Sequence, residues 1–265
     1  MVDPNFTSAA VTALAAISIA GTAHAQVVQQ NSDSSSATNV VLVHGAFADG
    51  SGWRRVYEEL TSRGYRVTIV QNPLTSLADD VAATRRALDQ QNGKTVLVGH
   101  SWGGSVITEA GIHPKVVSLV YVSALAPDAG ETTGQQYEGF PAATAFVIDT
   151  QPDGYGLLNA AKFKAAFAAD ADDADAAFLR DSQVPINMSV FGTKLENAAW
   201  RTKPSWAVIA TEDKAFGEGM LHGMARRIGA EVTEVKASHA LFMTQPRVIA
   251  DVIAQAARGM ARKES

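Results

Sequence analysis

Residues 95–104 read TVLVGHSWGG, and this stretch decides the fold. Thr95–Val98 is a continuous apolar run, as expected of a strand that is buried on both faces. Gly99–Gly104 then contains a Gly-x-Ser-x-Gly pattern, and a helical pattern follows it. A serine on a very sharp strand-to-helix turn needs strained backbone angles and very small neighbours. The residues two positions away on each side, Gly99 and Gly103, are both glycine, so the pattern predicts an exposed nucleophilic hydroxyl at Ser101.

The rest of the chain alternates between buried strands and amphipathic helices. Six short apolar runs predict strands: Val40–Val43, Arg66–Val70, Thr95–Val98, Val116–Val122, Trp206–Ala210 and Val232–Val235. The segments between them predict helices, among them Trp53–Arg63, a helix capped by Ser76 and a last helix that begins at Pro246. This order predicts an α/β fold with a mainly parallel central sheet and helices on both faces.

One interval interrupts this alternation. Between Pro127 and Pro204 the sequence has no convincing buried strand, and helical patterns cover Asn159–Ala169 and Asp173–Arg180. An insertion of this length between two strands of one sheet is typical of a lid over a binding site. We therefore expect a helical lid over about residues 128–204.

The N-terminal segment resembles a secretory signal peptide. Val11–Ala20 is apolar, and the small residues Ala23 and Ala25 fit an Ala-x-Ala cleavage site. The first ten residues hold an acidic residue and no basic one, which is atypical, so the alternative is a first helix of the domain. Residues 29–38 favour the signal peptide, because they are polar like a linker. The sequence thus predicts a periplasmic or secreted protein with a signal peptide at 1–25, cleaved after Ala25, a polar linker at 26–38 and a domain at 39–265.

Composition and charge exclude several classes of function. The 265 residues include 22 Lys plus Arg and 27 Asp plus Glu, a net charge of −5, without a basic cluster. A protein that binds nucleic-acid phosphates would need such a cluster. Cysteine is absent, which excludes disulfides, thiolate metal ligands and a thiol nucleophile. No apolar run reaches the roughly 18 residues of a membrane span.

A serine nucleophile needs a histidine that accepts its proton, and the chain has six histidines. His239 follows the last predicted strand and precedes the last helix, so it belongs to the same edge of the sheet as Ser101. The other five have simpler explanations in the signal peptide, at strand ends or on the surface: His24, His44, His100, His113 and His222. His239 is therefore the predicted base.

An acidic residue must orient the histidine and stabilise its charged form. Asp213 follows the strand Trp206–Ala210 and keeps the chain order serine, acid, histidine that this architecture requires. Glu212 is its direct neighbour and competes for the role. Asp128, which follows the strand Val116–Val122, is a second competitor.

Acyl transfer also needs two backbone N–H groups that bind the oxyanion of the tetrahedral intermediate. We expect one from Trp102, directly after the serine, and the other from Ala46 in the loop after the first strand. Apolar side chains near these loops and in the lid predict a pocket for an uncharged group, lined by Phe47, Leu125, Phe140, Phe146, Leu241 and Phe242. For any one lid aromatic, packing of the lid onto the sheet is the competing explanation.

With these residues in place, the chain resembles the α/β-hydrolase superfamily, and within it small bacterial serine hydrolases related to plant methylesterases and hydroxynitrile lyases. The resemblance runs from about residue 39 to residue 262 and rests on VLVHGAFADGSGW, VQNPLTSLADDV, LVGHSWGG, VYVSALAPDAGE, ATEDKAF and SHALFMTQP. It implies a helical cap over the pocket, no metal and no cofactor. It also implies a catalytic triad formed by Ser101, Asp213 and His239. It further implies an oxyanion hole formed by Ala46 and Trp102.

Residues and resemblance together predict a serine carboxylesterase that cleaves small to medium uncharged esters through an acyl-enzyme on Ser101. The expected partner is a small-molecule ester; neither nucleic acid nor a membrane is expected, and the oligomeric state is not predicted. One alternative is a C–C lyase on the same scaffold, and another is a non-catalytic small-molecule binding protein. The lyases place a lysine directly after the catalytic histidine and a threonine in the first-strand loop, where this chain has Ala240 and His44-Gly45-Ala46.

Overall fold

The computed structural model describes residues 36–217 and 219–259. Within them it has nine strands: β1 Asn39–Val43, β2 Arg66–Val70, β3 Thr95–Ser101, β4 Val116–Ala124, β5 Ile148–Thr150, β6 Tyr155–Leu158, β7 Ile186–Asn187, β8 Ser205–Ala210 and β9 Glu231–Val235. The same residues form eight α-helices: α1 Arg54–Ser62, α2 Leu77–Asp89, α3 Gly103–Ala110, α4 Phe163–Phe167, α5 Asp173–Asp181, α6 Met220–Arg227, α7 Leu241–Thr244 and α8 Pro246–Arg258. Short 3-10 helices cover Gly50–Trp53, Gly134–Tyr137, Met188–Gly192 and Ala199–Arg201.

Six of these strands form one parallel sheet, in the order β2-β1-β3-β4-β8-β9. The pairing of β1 with β3 runs from Asn39 opposite Thr95 to Val43 opposite Gly99. Strands β1 and β8 are buried along their whole length, because helices pack around the sheet. The six predicted strands and the predicted parallel α/β fold are confirmed.

Capping interactions mark two of the predicted helix boundaries. Ser76 precedes α2, and its Oγ accepts a hydrogen bond from the backbone N–H of Asp79 at 3.1 Å. Pro246 is the first residue of α8, a position where the backbone N–H that proline lacks would have no partner within the helix. Gly259 follows α8 with a φ of 63°, a left-handed angle that ends the helix. Both predicted boundaries are confirmed.

The insertion at residues 128–204, here called the lid, contains more than helices. Helices α4 and α5 lie in the two predicted helical stretches. Strands β5, β6 and β7 form a separate antiparallel sheet in that order, with Leu158 and Ile186 buried. The expectation that no buried strand lies between Pro127 and Pro204 is therefore wrong. These strands have two to four residues each, too few for alternation to stand out in the sequence.

Two of the contacts that attach the lid to the central sheet and its helices bear on the site. The N–H of Asn187 on β7 donates to the carbonyl oxygen of Leu74 at 2.9 Å. The carboxylate of Asp175 on α5 pairs with Arg55 on α1 at 2.7 Å. These two contacts hold the lid against the loop of Leu74 and against helix α1.

The described residues begin inside the segment predicted as a linker. Ala37 is buried, and its N–H donates to the carbonyl oxygen of Ala257 on α8 at 2.8 Å, so the folded domain starts slightly before the predicted residue 39. The predicted signal peptide at 1–25 and most of the linker at 26–38 lie outside the described residues, and export stays a prediction. In the described part of the chain no helix is long and apolar enough to cross a membrane.

Candidate active site

Ser101 lies at the end of β3, on the turn into α3, with a backbone φ of 53°. A non-glycine residue with positive φ is strained, and such strain is typical of functional sites. The turn at residues 99–103, here called the elbow, leaves no room for a side chain at position 99 or position 103. A Cβ on Gly99 would lie 2.4 Å from the carbonyl oxygen of Gly103, and one on Gly103 would lie 2.7 Å from that of Val43. The elbow therefore has the backbone geometry that the sequence predicts, and Ser101 lines a cavity.

The side chains of His239 and Asp213 form a buried hydrogen-bonded pair. Nδ1 of His239 lies 2.7 Å from Oδ2 of Asp213, and the two side chains are 0% and 4% exposed. Because a carboxylate only accepts hydrogen bonds, Nδ1 carries the proton and Nε2 keeps its lone pair. Among the described residues, Nε2 has no hydrogen-bond partner. The pair thus provides an oriented histidine that can take up a proton at Nε2.

Aromatic rings surround the His239 imidazole. The ring centroids of Phe167, Phe216 and Phe146 lie 4.9, 5.2 and 6.0 Å from that of His239, each in an edge-to-face arrangement. These rings exclude water and lower the local dielectric constant, which strengthens the hydrogen bond to Asp213.

The lid helps to hold the histidine loop, residues 238–240, in place. The N–H of Ala240 donates to the carbonyl oxygen of Phe167 on α4 at 2.9 Å. The N–H of Ser238 donates to the carboxylate of Asp170 at 3.1 Å. Both acceptors belong to the lid, which therefore builds the site as well as covering it.

The other described histidines have structural positions. Nε2 of His100 donates to the carbonyl oxygen of His239 at 3.0 Å. Burial holds the pKa of His100 well below its usual value, so this donor is neutral. Nε2 of His44 accepts the N–H of Asn72 at 2.9 Å. The last two contact surface carboxylates, His113 that of Asp89 and His222 that of Glu234.

In the described part of the chain, neither competing acid hydrogen-bonds to His239. Asp128 accepts two hydrogen bonds from the guanidinium of Arg201, at 2.8 and 2.6 Å. These bonds hold the pKa of Asp128 below its usual value. Glu212 pairs with Lys236 at 3.5 Å on the surface. Of the three carboxylates considered from sequence, the structure brings Asp213 to the histidine.

The two residues predicted to bind the oxyanion lie beside the serine. Ala46 and Trp102 line the same cavity as Ser101. The loop after β1 approaches the elbow so closely that a Cβ on Gly45 would lie 2.8 Å from the Cβ of Ser101. Phe47, next in this loop, has a φ of 59° and is a second strained residue at the site. Two backbone segments from different strands therefore converge on Ser101, as a site with two donors requires.

A cavity of about 490 Å³ adjoins Ser101, and all its lining residues are uncharged. Most of the lining is apolar or aromatic, so the cavity suits an uncharged, largely apolar molecule. Within the described residues, no three His, Cys, Asp or Glu side chains are placed to hold a metal ion. The larger lining side chains are Phe47, Trp102, Leu125, Tyr137, Phe140, Phe146, Ile148, Met188, Phe191 and Phe216.

Two of the six predicted pocket residues do not line this cavity. Leu241 and Phe242 lie on the short helix α7 and are buried in the core instead. The ring centroid of Phe242 lies 4.7 Å from that of His100 and 5.7 Å from that of Trp53. Their nearness to His239 in sequence was misleading, because α7 packs them among core rings. The other four, Phe47, Leu125, Phe140 and Phe146, line the cavity beside Ser101.

Several lining residues were missed from the sequence. Ile148, Met188 and Phe191 come from short elements of the lid, which no periodic pattern reveals. Phe216 could have been found, because it follows Asp213 by three residues and so belongs to the loop of the predicted acid. Its ring packs against His239 and lines the cavity at the same time.

Residues 138–146, here called the mouth segment, separate the cavity from solvent. Pro141 and Ala142 line the cavity and are also exposed. The backbone N–H groups of Phe140 and Phe146 donate to carbonyl oxygens three residues earlier. Phe140 also packs on α6, where a Cβ on Gly223 would lie 3.3 Å from its ring. Local bonds and one aromatic contact thus hold this part of the wall.

Known proteins share this fold and part of this sequence. Residues 40–252 match the alpha/beta hydrolase family. A pyrethroid hydrolase of Sphingobium wenxiniae is 28% identical over 249 residues, which cover 82% of this chain and 86% of that protein. The crystal structure of a pyrethroid hydrolase from Sphingobium faniae has a TM-score of 0.72 at 22% identity, over 83% of this chain and 97% of that one. A methylesterase from Arabidopsis has a TM-score of 0.69 at 19% identity, over 84% and 99% of the two chains. The chain belongs to the alpha/beta hydrolase family, as its sequence motifs predict.

Proposed function

We propose that this protein is a serine carboxylesterase that cleaves uncharged, apolar esters. The proposal rests on one arrangement: a strained elbow serine, Ser101, lines an apolar cavity, and two rings of that cavity pack against the histidine of a buried histidine and carboxylate pair. In this proposal Ser101 is the nucleophile, His239 is the base and Asp213 orients the base.

Acylation uses each of these groups once. Nε2 of His239 takes the hydroxyl proton while Oγ of Ser101 attacks the ester carbonyl carbon. The resulting oxyanion accepts hydrogen bonds from the N–H groups of Ala46 and Trp102, and the Asp213 carboxylate stabilises the imidazolium. When the carbonyl reforms, the bond to the alcohol oxygen breaks and that oxygen takes the proton from Nε2. The products of this half-reaction are a free alcohol and an acyl group on Ser101.

Deacylation runs the same steps in reverse, with water in place of the alcohol. Water gives a proton to Nε2 of His239 and attacks the acyl carbon, and the oxyanion occupies the same two N–H groups. Collapse breaks the bond to Oγ of Ser101, which takes back the proton. One water is consumed, a carboxylic acid is released and the protein returns to its starting state.

The cavity supports bulky uncharged substrates. Its volume of about 490 Å³ and its ring-lined walls suit a neutral ester with an apolar acid part or alcohol part. The related protein of Sphingobium wenxiniae is named a pyrethroid hydrolase, and we expect this chain to act on molecules of a similar hydrophobic kind.

Hydrolysis of p-nitrophenyl butyrate by the wild type and by Ser101→Ala tests the proposal. We expect the variant to lose about three or more orders of magnitude in kcat, because the nucleophile is gone. A fluorophosphonate probe should label Ser101, as read by mass spectrometry of the peptides.

Ser62→Ala is the matched control, because Ser62 is an exposed serine on α1 whose hydroxyl donates to the carbonyl of Glu59. It should keep wild-type activity. An active Ser101→Ala protein, or labelling of another residue, would refute the proposed nucleophile.

A further inference from the structure

A second buried carboxylate lies close to the elbow, and the proposed reaction does not use it. Asp80 is in the first half of α2 and is 0% exposed. Buried carboxylates are costly and are usually paired with a cation. None of the ion pairs among the described residues includes Asp80. A buried carboxylate without a cation is therefore a candidate for a functional role.

The two partners of this carboxylate are neutral N–H groups. Oδ2 of Asp80 accepts a hydrogen bond from Nε1 of Trp102 at 2.8 Å, and Oδ1 accepts one from the backbone N–H of Leu74 at 2.8 Å. Desolvation raises the pKa of Asp80 to about 6. At neutral pH the acceptor is therefore ionised, and hydrogen bonds to a charged acceptor are about twice as strong as neutral ones.

Helix capping does not explain Asp80. The N-terminus of α2 is capped by Ser76 Oγ, which accepts from the N–H of Asp79, and the Asp79 carboxylate accepts from both Ser76 and Thr75 hydroxyls. The Asp80 side chain instead points its two oxygens at a loop and at the elbow. Neither partner of Asp80 belongs to α2, so the packing of the helix against its surroundings determines these two hydrogen bonds.

Trp102 is the residue directly after Ser101 and the expected source of one oxyanion donor. Trp102 lines the cavity, and its indole is completely buried. The Phe191 ring of the lid packs edge-to-face on it, with centroids 5.5 Å apart. Asp80 fixes the edge of the indole that carries Nε1, so the indole is held at its edge as well as on its face. A fixed side chain restricts the rotation of its own backbone, including the peptide N–H that follows the serine.

Leu74 extends the same connection to the lid. Its φ of 59° is strained for a non-glycine residue, and the bond from its N–H to Asp80 helps to hold it there. Its carbonyl oxygen accepts the N–H of Asn187 on β7. One carboxylate therefore joins the elbow to the loop on which the small lid sheet rests.

We propose that Asp80 is a positioning residue, which holds Trp102 so that its backbone N–H meets the oxyanion on Ser101. The inference rests on the proposed function, because without a tetrahedral intermediate there is no oxyanion to meet. Oxyanion donors act over a narrow range of distance, and a small displacement costs rate without loss of substrate binding. Asp80 should therefore affect kcat much more than KM.

The first experiment compares Asp80→Asn with Asp79→Asn, the same change on the neighbouring exposed carboxylate of α2. Each variant is assayed with p-nitrophenyl butyrate and with an alkyl trifluoromethyl ketone, which adds to the serine as a tetrahedral oxyanion adduct. For Asp80→Asn we expect kcat to fall about 10-fold or more, with the affinity for the ketone falling in parallel and KM within about 2-fold. Asp79→Asn should leave all three unchanged. A fall in kcat for Asp80→Asn without a fall in ketone affinity would overturn the inference.

A second pair of variants tests the route through the indole. Trp102→Phe removes the Nε1 donor and keeps Asp80, so it should show the same loss of kcat and of ketone affinity. Adding Asp80→Asn to Trp102→Phe should then cost little more, because the contact is already gone. Full additivity would overturn the inference, and so would a Trp102→Phe protein with wild-type kcat, a result that stands even if Asp80→Asn alone fails to fold. A wild type that neither hydrolyses esters nor is labelled at Ser101 would overturn the proposed function itself, whereas an active wild type with an unchanged Asp80→Asn would overturn only the role of Asp80.

Discussion

His239 Nδ1 lies 2.7 Å from Oδ2 of Asp213, and the two side chains are only 0% and 4% exposed. We predict that Asp213→Asn lowers kcat by about four orders of magnitude, because an amide can donate to Nδ1 and hold the ring in the wrong tautomer. Steady-state kinetics with p-nitrophenyl butyrate measures the loss. Circular dichroism and thermal melting should show that the fold persists.

Asp128→Asn and Glu212→Gln are the controls for this prediction. Asp128 is engaged by Arg201 and Glu212 by Lys236, away from the histidine. Both variants should stay within about 3-fold of wild-type kcat. A greater loss of kcat for either variant than for Asp213→Asn would show that Asp213 is not the acid that orients His239.

The cavity predicts esterase rather than hydroxynitrile lyase activity. Cyanide leaves as an anion, and a buried anion without a positive partner is strongly disfavoured. All the lining residues are uncharged, and the side chain of Lys236 is 82% exposed and paired with Glu212. We therefore expect turnover of p-nitrophenyl acetate and no cyanide release from mandelonitrile, followed with a cyanide assay. Efficient cyanide release with negligible ester hydrolysis would reverse the choice.

Asp80 should give the stability of the protein a recognisable pH dependence. Its folded pKa of about 6 lies above the usual 3.8, so the stability it contributes is fully present below pH 4 and is lost as the pH rises through 6. Relative to Asp80→Asn, the free energy of unfolding of the wild type should fall by about 2 kcal/mol between pH 4.5 and pH 7.5. Urea denaturation at the two pH values measures it.

Asp79 provides a control of opposite sign. Hydrogen bonds from Ser76 and Thr75 lower its pKa, so its contribution is present at neutral pH and is lost as the pH falls. Relative to Asp79→Asn, the wild type should not lose stability between pH 4.5 and pH 7.5. A fall of equal size in both comparisons would mean that the effect does not come from Asp80.

Phe140 is predicted to limit the size of the substrate. It lines the cavity from the mouth segment and packs against Gly223. Phe140→Ala should raise the ratio of kcat/KM for p-nitrophenyl decanoate to that for the acetate by about 5-fold or more. Phe178→Ala is the matched control, since Phe178 is an exposed lid aromatic that is 49% exposed and does not line the cavity. An equal change in both variants would argue against a specific role for Phe140.

The central sheet was predictable because its strands are buried on both faces and are therefore continuously apolar. The elbow was predictable because the turn at Ser101 needs glycine at positions 99 and 103. This requirement leaves the Gly-x-Ser-x-Gly pattern in the sequence. The positions of Asp213 and His239 followed from where their strands end. These features depend on residues close together in the chain.

Features that depend on distant contacts were harder to predict. Leu241 and Phe242 read as pocket residues, and only the packing of α7 shows them to be core. The position of Asp80 in the sequence does indicate a buried carboxylate. It lies on the apolar face of α2 with Leu77, Val81 and Leu88, where a carboxylate must find a partner. That partner, Trp102, is 22 residues away.

The lid has two parts that can diverge independently in evolution, because only one of them is bonded to the histidine loop, through Phe167 and Asp170. Phe167 and Asp170 hold the loop of His239, the proposed base, so changes there should affect the proposed reaction. Within the mouth segment only Phe146 contacts the His239 ring, so residues 138–145 can diverge in length and composition without disturbing turnover. A chimera that receives residues 138–145 from a relative and keeps Phe146 should acquire the substrate range of that relative while keeping the rate constants of this chain for small esters.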